Sequence, residues 1–77
     1  MRLVDAVYAR IIELAKERQL NMNAMANISG VPRSTIITMT RSTTVTLATI
    51  HGICDGLNIT LMDFFNSPLF LRENITD

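Results

Sequence analysis

Apolar residues recur every three or four positions from the start of the chain, where Val4, Val7, Tyr8, Ile11, Ile12, Leu14 and Ala15 are interleaved with Arg10, Glu13, Lys16 and Glu17. An α-helix with one buried face imposes that period, so residues 4–20 are predicted to form a first amphipathic helix. Asn21 suits the N-cap of a second, short helix in which Ala24, Met25 and Ile28 continue the apolar spacing. Gly30 ends it, because glycine adopts the left-handed turn of a helix C-terminus at least cost. Pro32 then places the start of a third helix at 32 or 33, its fixed φ suiting a first turn.

In this third helix, over about residues 32–41, Thr35, Ile36 and Met39 fall on one face. Arg33, Ser34, Ile37, Thr38 and Arg41 fall on the other, which solvent or a ligand would meet. Nine of the sixteen residues from Ser34 to Thr49 are Ser or Thr, a bias typical of linkers. The helical spacing of Ile36 and Met39 argues against a linker up to Thr40, leaving about 42–46 as a flexible loop. Leu47, Ile50, Ile53, Cys54 and Leu57 mark a fourth helix, stopped near Gly56 to Asn58. Thr60 with Asp63 three residues on reads as a capping box with Asp in the usual Glu place, opening a fifth helix that carries Leu61, Phe64 and Phe65. Pro68 closes it, so residues 1–66 form the domain and 67–77 a tail with an unusual apolar load, Leu69, Phe70, Leu71 and Ile75.

Seventy-seven residues make one domain, which at this size buries only about 60% of its unfolded surface. Hydrophobic residues at 48% and charged ones at 18% argue for a folded chain and against disorder. Seven basic and seven acidic side chains cancel, yet residues 18–54 hold Arg18, Arg33, Arg41 and His51 and no carboxylate. The middle of the chain is locally basic. The single Cys54 cannot close an internal disulfide, and no secretory signal is evident, so a reducing cytoplasm is expected. No apolar run approaches the roughly 18 to 20 residues of a membrane span. His51 and Cys54 lie three apart on one helix, but two ligands fall short of the four of a structural zinc site, and no metal is expected. No carboxylate pair, glycine-rich phosphate loop or nucleophile with its base stands out. Neither an enzyme, a cofactor nor a small-molecule ligand is expected.

The offsets within residues 22–39 carry more. Ala26, Gly30 four later, Ile36 and Met39 have the sizes a helix-turn-helix needs: a small residue where two helices cross, a sharp turn, and apolar anchors that hold the second of the pair with its other face outward. The runs 10–14, 20–21, 25–26 and Ser29-Gly30-Val31-Pro32-Arg33-Ser34-Thr35-Ile36, then Leu47-Ala48-Thr49-Ile50, and Gly56-Leu57-Asn58-Ile59-Thr60-Leu61-Met62-Asp63-Phe64-Phe65 resemble the Cro/C1-type, or XRE, helix-turn-helix family over about residues 7–66. It is similar to the minimal single-domain regulators of bacteria, their phages and mobile elements.

The resemblance implies an all-α, compact five-helix, lambda-repressor-like DNA-binding domain whose third helix enters the major groove of double-stranded DNA. Carried over by position, Arg33, Ser34 and Thr38 match base-reading places, with Ile37 beside them. Arg can bond guanine through two donors, hydroxyls serve either base, and Ile can meet a thymine methyl. Phosphate contacts are expected from Asn21, Met22 and Asn23 at the start of the second helix, and from Arg41, Ser42 and Thr43 after the third. This chain departs from the family at Met22, where Gln is frequent, at Ser42 and Val45, where Gly and Pro are common, and at Thr40, where many members carry Glu. Without a carboxylate at Thr40, Arg10 needs another acceptor. Phe64, Phe65, Leu69, Phe70 and Leu71 are expected to form a homodimer interface, since a small core and a short DNA contact both gain from a second copy. A module that keeps the fold but binds protein in a regulatory complex is the alternative, consistent with zero net charge, Met22 and the apolar tail.

Overall fold

The computed structural model describes residues 1–76; Asp77, the last residue of the expected tail, lies outside the described residues. The chain folds as α1 (Leu3–Glu17), α2 (Met22–Ser29), α3 (Arg33–Thr38), α4 (Leu47–Leu57) and α5 (Leu61–Phe65), with no strand among the described residues. A 3₁₀ turn, Met39–Arg41, prolongs α3 to the end expected for the third helix, and two more, Pro68–Phe70 and Arg72–Asn74, shape the tail.

Side chains set most of the helix starts. Asn21 Oδ1 accepts from the Ala24 N–H at 2.8 Å, and Thr46 Oγ1 from the Thr49 N–H at 3.1 Å. Thr60 and Asp63 form the reciprocal capping box, with both bonds at 3.0 Å. One helix end differs from expectation. α1 stops at Glu17 rather than residue 20, because Gln19 turns left-handed at φ 56° and Leu20 N–H returns to the Ala15 carbonyl at 2.9 Å. α4 ends within the expected 56–58, by the same turn and without glycine at it: Asn58 takes φ 57° and Ile59 N–H reaches the Cys54 carbonyl at 2.9 Å. Asn tolerates this conformation better than most residues, whereas Gln19 carries some strain.

Gly56 therefore does not stop α4; it lets α4 meet α2. A Cβ there would overlap the Ile28 carbonyl and sit 2.8 Å from Ser29 Cα, backbone against backbone. Gly52, one turn earlier, faces the same strand of chain, where a Cβ would lie 3.2 Å from the Ser29 carbonyl oxygen. This close approach holds the end of α2, and so the turn into α3, against the rest of the domain. Gly30 makes that turn at φ 71°.

One core runs through the molecule. Val4, Val7, Ile11 and Leu14 of α1 join Met25, Ile36, Met39, Ile53 and Phe64 from the other elements. Arg10 is buried at its edge and finds the acceptors that Thr40 does not provide: Nε donates to the Phe64 carbonyl at 2.7 Å and Nη2 to the Asp63 carbonyl at 2.8 Å, while Nη1 pairs with Glu13. These carbonyls lie in the last turn of α5, where acceptors lack helical partners and a positive charge is favoured. The tail folds back on the domain. Phe65 and Phe70 meet edge to face at 4.9 Å, and the Thr76 N–H donates to the Met1 carbonyl at 2.9 Å.

Candidate nucleic-acid interface

Burial fixes which way α3 faces. Ile36 is fully enclosed and Met39 6% exposed, a narrow anchor one turn long that leaves the remaining positions outward. Arg33, Ser34 and Ile37 are exposed, and Thr38 is half-buried. Thr35, expected on the inner face, is exposed as well: with the anchor reduced to Ile36 and Met39, position 35 lies outside the buried stripe. Thr38 Oγ1 donates to the Ser34 carbonyl at 2.6 Å, so its proton is engaged and its lone pairs are what it can offer a ligand.

An open groove of about 590 Å³ separates α2 from α3, lined by Asn23, Ala26, Asn27, Gly30, Val31, Pro32 and Arg33. Asn27 escapes a reading of sequence alone because it falls among the polar positions of a short helix; only the crossing of α2 and α3 sets it beside Asn23 and Arg33. Of the three residues expected at phosphates from α2, Asn23 is exposed. Asn21 has its side-chain oxygen committed to the helix cap, and Met22 packs half-buried against the core, leaving its backbone amide as its polar group. Arg41, Ser42 and Thr43 are all exposed beyond α3, with Ser42 Oγ accepting from the Thr44 N–H at 3.1 Å, so that the expected flexible loop opens on a hydrogen-bonded turn.

The interface residues lie within the carboxylate-free stretch 18–54. An anion approaching α2, α3 or their following loop thus meets no carboxylate from those elements. At α4, His51 is exposed while Cys54 is buried, so the two do not share surroundings. Burial, with the Asp63 charge adding, pushes the Cys54 thiol above its ordinary pKa and keeps it protonated. Among the described residues no three of His, Cys, Asp and Glu converge as a metal cluster.

In α5 and the tail, the five residues expected at a dimer interface separate. Phe64 is fully enclosed by its own chain and presents no surface to a second copy, because the short α5 turns it into the core. Phe65, Leu69 and Phe70 are half-buried, and Leu71 is exposed. Met62, 83% exposed, and Leu61 extend the apolar surface at positions that helical periodicity had marked only as part of α5. Leu47, expected to mark the inner face of α4, is likewise turned outward at the helix start.

No helix among the described residues is long and apolar enough to cross a membrane. No curated protein and no solved structure matches the chain. The family model for the Cro/C1-type HTH DNA-binding domain matches residues 10–68, which span every helix of the interface and the capping box of α5. With the helix-turn-helix formed by α2, Gly30 and α3, the chain belongs to the Cro/C1-type helix-turn-helix DNA-binding domain family.

Proposed function

We propose that this chain is a sequence-specific transcriptional regulator that lays residues 32–41 in the major groove of double-stranded DNA as a homodimer on an inverted repeat. The observation that carries the reading is the division of α3: Ile36 and Met39 are locked in the core while Arg33, Ser34 and Ile37 face outward from a stretch of chain that holds no carboxylate. Arg33 reads guanine, Ser34 and Thr38 take hydrogen bonds at base edges, and Ile37 meets a thymine methyl. Asn23, Arg41, Ser42, Thr43 and the backbone amides of residues 21 and 22 hold phosphates. Residues 67–77 act with α5, the second copy docks there through Phe65, Leu71 and Met62, and the pair reads half-sites about 34 Å apart, one turn of DNA.

Selection of bound sites from a random duplex pool tests this. An enriched inverted repeat supports base reading and two-fold symmetry together, and an enriched single half-site removes the dimer while keeping the reader. Failure to enrich any sequence, with no binding to duplex at low salt, overturns the reading in favour of a protein-interaction module.

A further inference from the structure

Arg2 lies just before α1 and turns its guanidinium toward the far end of the recognition segment. Nε and Nη2 each donate to a carboxylate oxygen of Asp5 at 3.0 Å, a two-pronged pairing. Nη2 also donates to the Thr40 carbonyl at 2.6 Å, and Nη1 reaches the Ser42 carbonyl at 3.5 Å. Thr40 belongs to the 3₁₀ turn that finishes the recognition segment, and the final carbonyls of a helix have no partners within it. A guanidinium placed there satisfies an acceptor and sets a positive charge at the negative end of the helix.

Beyond Met39, the end of this segment has one further apolar anchor, Val45, half-buried against the core. α3 proper is six residues long, its buried anchor is Ile36 and Met39, and residues 42–46 have no helix of their own. α1, by contrast, is fifteen residues long and contributes its whole inner face to the core. We propose that Arg2, braced by Asp5, is a positioning residue for DNA reading that fixes the last turn of the recognition helix, and with it Arg41, Ser42 and Thr43, to the start of α1. This rests on the reading of α3 as the recognition helix. Thr40 offers a backbone carbonyl to the brace, so the arrangement needs no acidic side chain at that position.

Arg2 is itself partly exposed, and the competing role is a direct bond to a DNA phosphate. The two roles predict opposite signs for Asp5→Asn. If Arg2 touches phosphate, deleting a neighbouring negative charge tightens binding; if Arg2 is a brace, losing the carboxylate that orients it weakens recognition. Wild type, Arg2→Ala, Arg2→Lys and Asp5→Asn are titrated against the enriched duplex and a random one over a range of salt, with amide spectra of the free proteins recorded alongside. Arg2→Ala and Asp5→Asn are each expected to lower affinity for the enriched duplex about tenfold, the scale of one charge-assisted hydrogen bond. Affinity for random duplex falls by less, since Arg41, Ser42 and Thr43 lose their fixed positions but keep their charge and hydroxyls; its salt slope stays nearly unchanged, and amide resonances of residues 40–43 move. Arg2→Lys restores little, since a single ammonium cannot fork between a carboxylate and a carbonyl.

The proposal is overturned if Asp5→Asn binds the enriched duplex as well as wild type or better. It is also overturned if Arg2→Ala weakens both duplexes alike with a salt slope shallower by about 0.9, the mark of one lost phosphate contact. Unmoved resonances at residues 40–43 overturn it without any DNA present. A wild type that enriches no site removes this proposal together with the reading of α3, whereas an enriched site bound equally by Arg2→Ala removes this proposal alone.

Discussion

In one region of the molecule, α3 and the loop behind it present hydroxyls, guanidiniums and Ile37 around an anchor one helical turn long. In another, α5 and the start of the tail gather Phe64, Phe65 and Phe70 with ring centroids 4.9 to 6.1 Å apart, and Arg10 donates to the carbonyls at the end of α5. Area removed from water is the dominant stabilising term, so the aromatic region supplies stability out of proportion to its length. The reading region contributes little burial and turns polar side chains outward, with Thr38 and Ser42 already hydrogen-bonded within their own segment. In a domain this small, that separation lets α3 change its outward residues without unfolding the chain.

Phe64→Ala is the strongest way to break the comparison. The side chain is fully enclosed, and truncation should cost about 3–5 kcal/mol of stability. Urea unfolding measures the loss, while the affinity of the fraction that remains folded for an isolated half-site should match wild type. If affinity per folded molecule fell in step with stability, the two regions would be one cooperative unit for binding as well as for folding. Gly56→Ala probes the joint between them. Because the added Cβ meets the backbone of Ile28 and Ser29, α2 and α4 must part, with an expected loss of about 1–3 kcal/mol. Here affinity should fall too, since the turn that aims α3 rides on the same contact. Arg33→Ala is the mirror of Phe64→Ala: its unfolding midpoint should stay at the wild-type value, while discrimination between the enriched and random duplexes drops by about 1–3 kcal/mol in competition titrations.

The features legible in sequence are those written by local chemistry. Asn21, Gly30, Pro32 and the pair Thr60 and Asp63 mark helix boundaries because each satisfies or replaces a specific backbone group within four residues of itself. Ile36 and Met39 were legible as the inner face of α3 through their spacing. What sequence left hidden depends on contacts between distant elements. Gly56 looks like a stop signal, and only the approach of α2 reveals it as a packing position. Phe64 and Phe65 are adjacent and chemically identical, yet the first is enclosed and the second half-exposed, since α5 is too short for periodicity to tell its faces apart. Arg2 gave no signal at all, because its acceptors Thr40 and Ser42 are backbone carbonyls about forty residues away, and any residue type supplies a carbonyl.

Acid offers the gentlest way to sharpen the comparison, because each region holds one aspartate below the usual carboxylate range. Asp5 is held down chiefly by its hydrogen bonds from Arg2, Asp63 chiefly by the Thr60 backbone N–H and hydroxyl of the capping box. In both, the folded state favours the ionised form more than the unfolded chain does. Their stabilisation is therefore complete above the ordinary carboxylate pKa and disappears as pH falls through the lower, folded value. Urea midpoints should decline between about pH 5 and about pH 2. Asp63→Asn should decline less steeply there and lose little near neutrality, since an amide oxygen still accepts from Thr60. Asp5→Asn should flatten the same limb through the other region, and if the two contributions are independent, the double variant should show the sum of both effects. An acid limb in Asp63→Asn that superposes on wild type would mean that the capping box holds no more tightly ionised than protonated, and that acid acts on this protein through the recognition region.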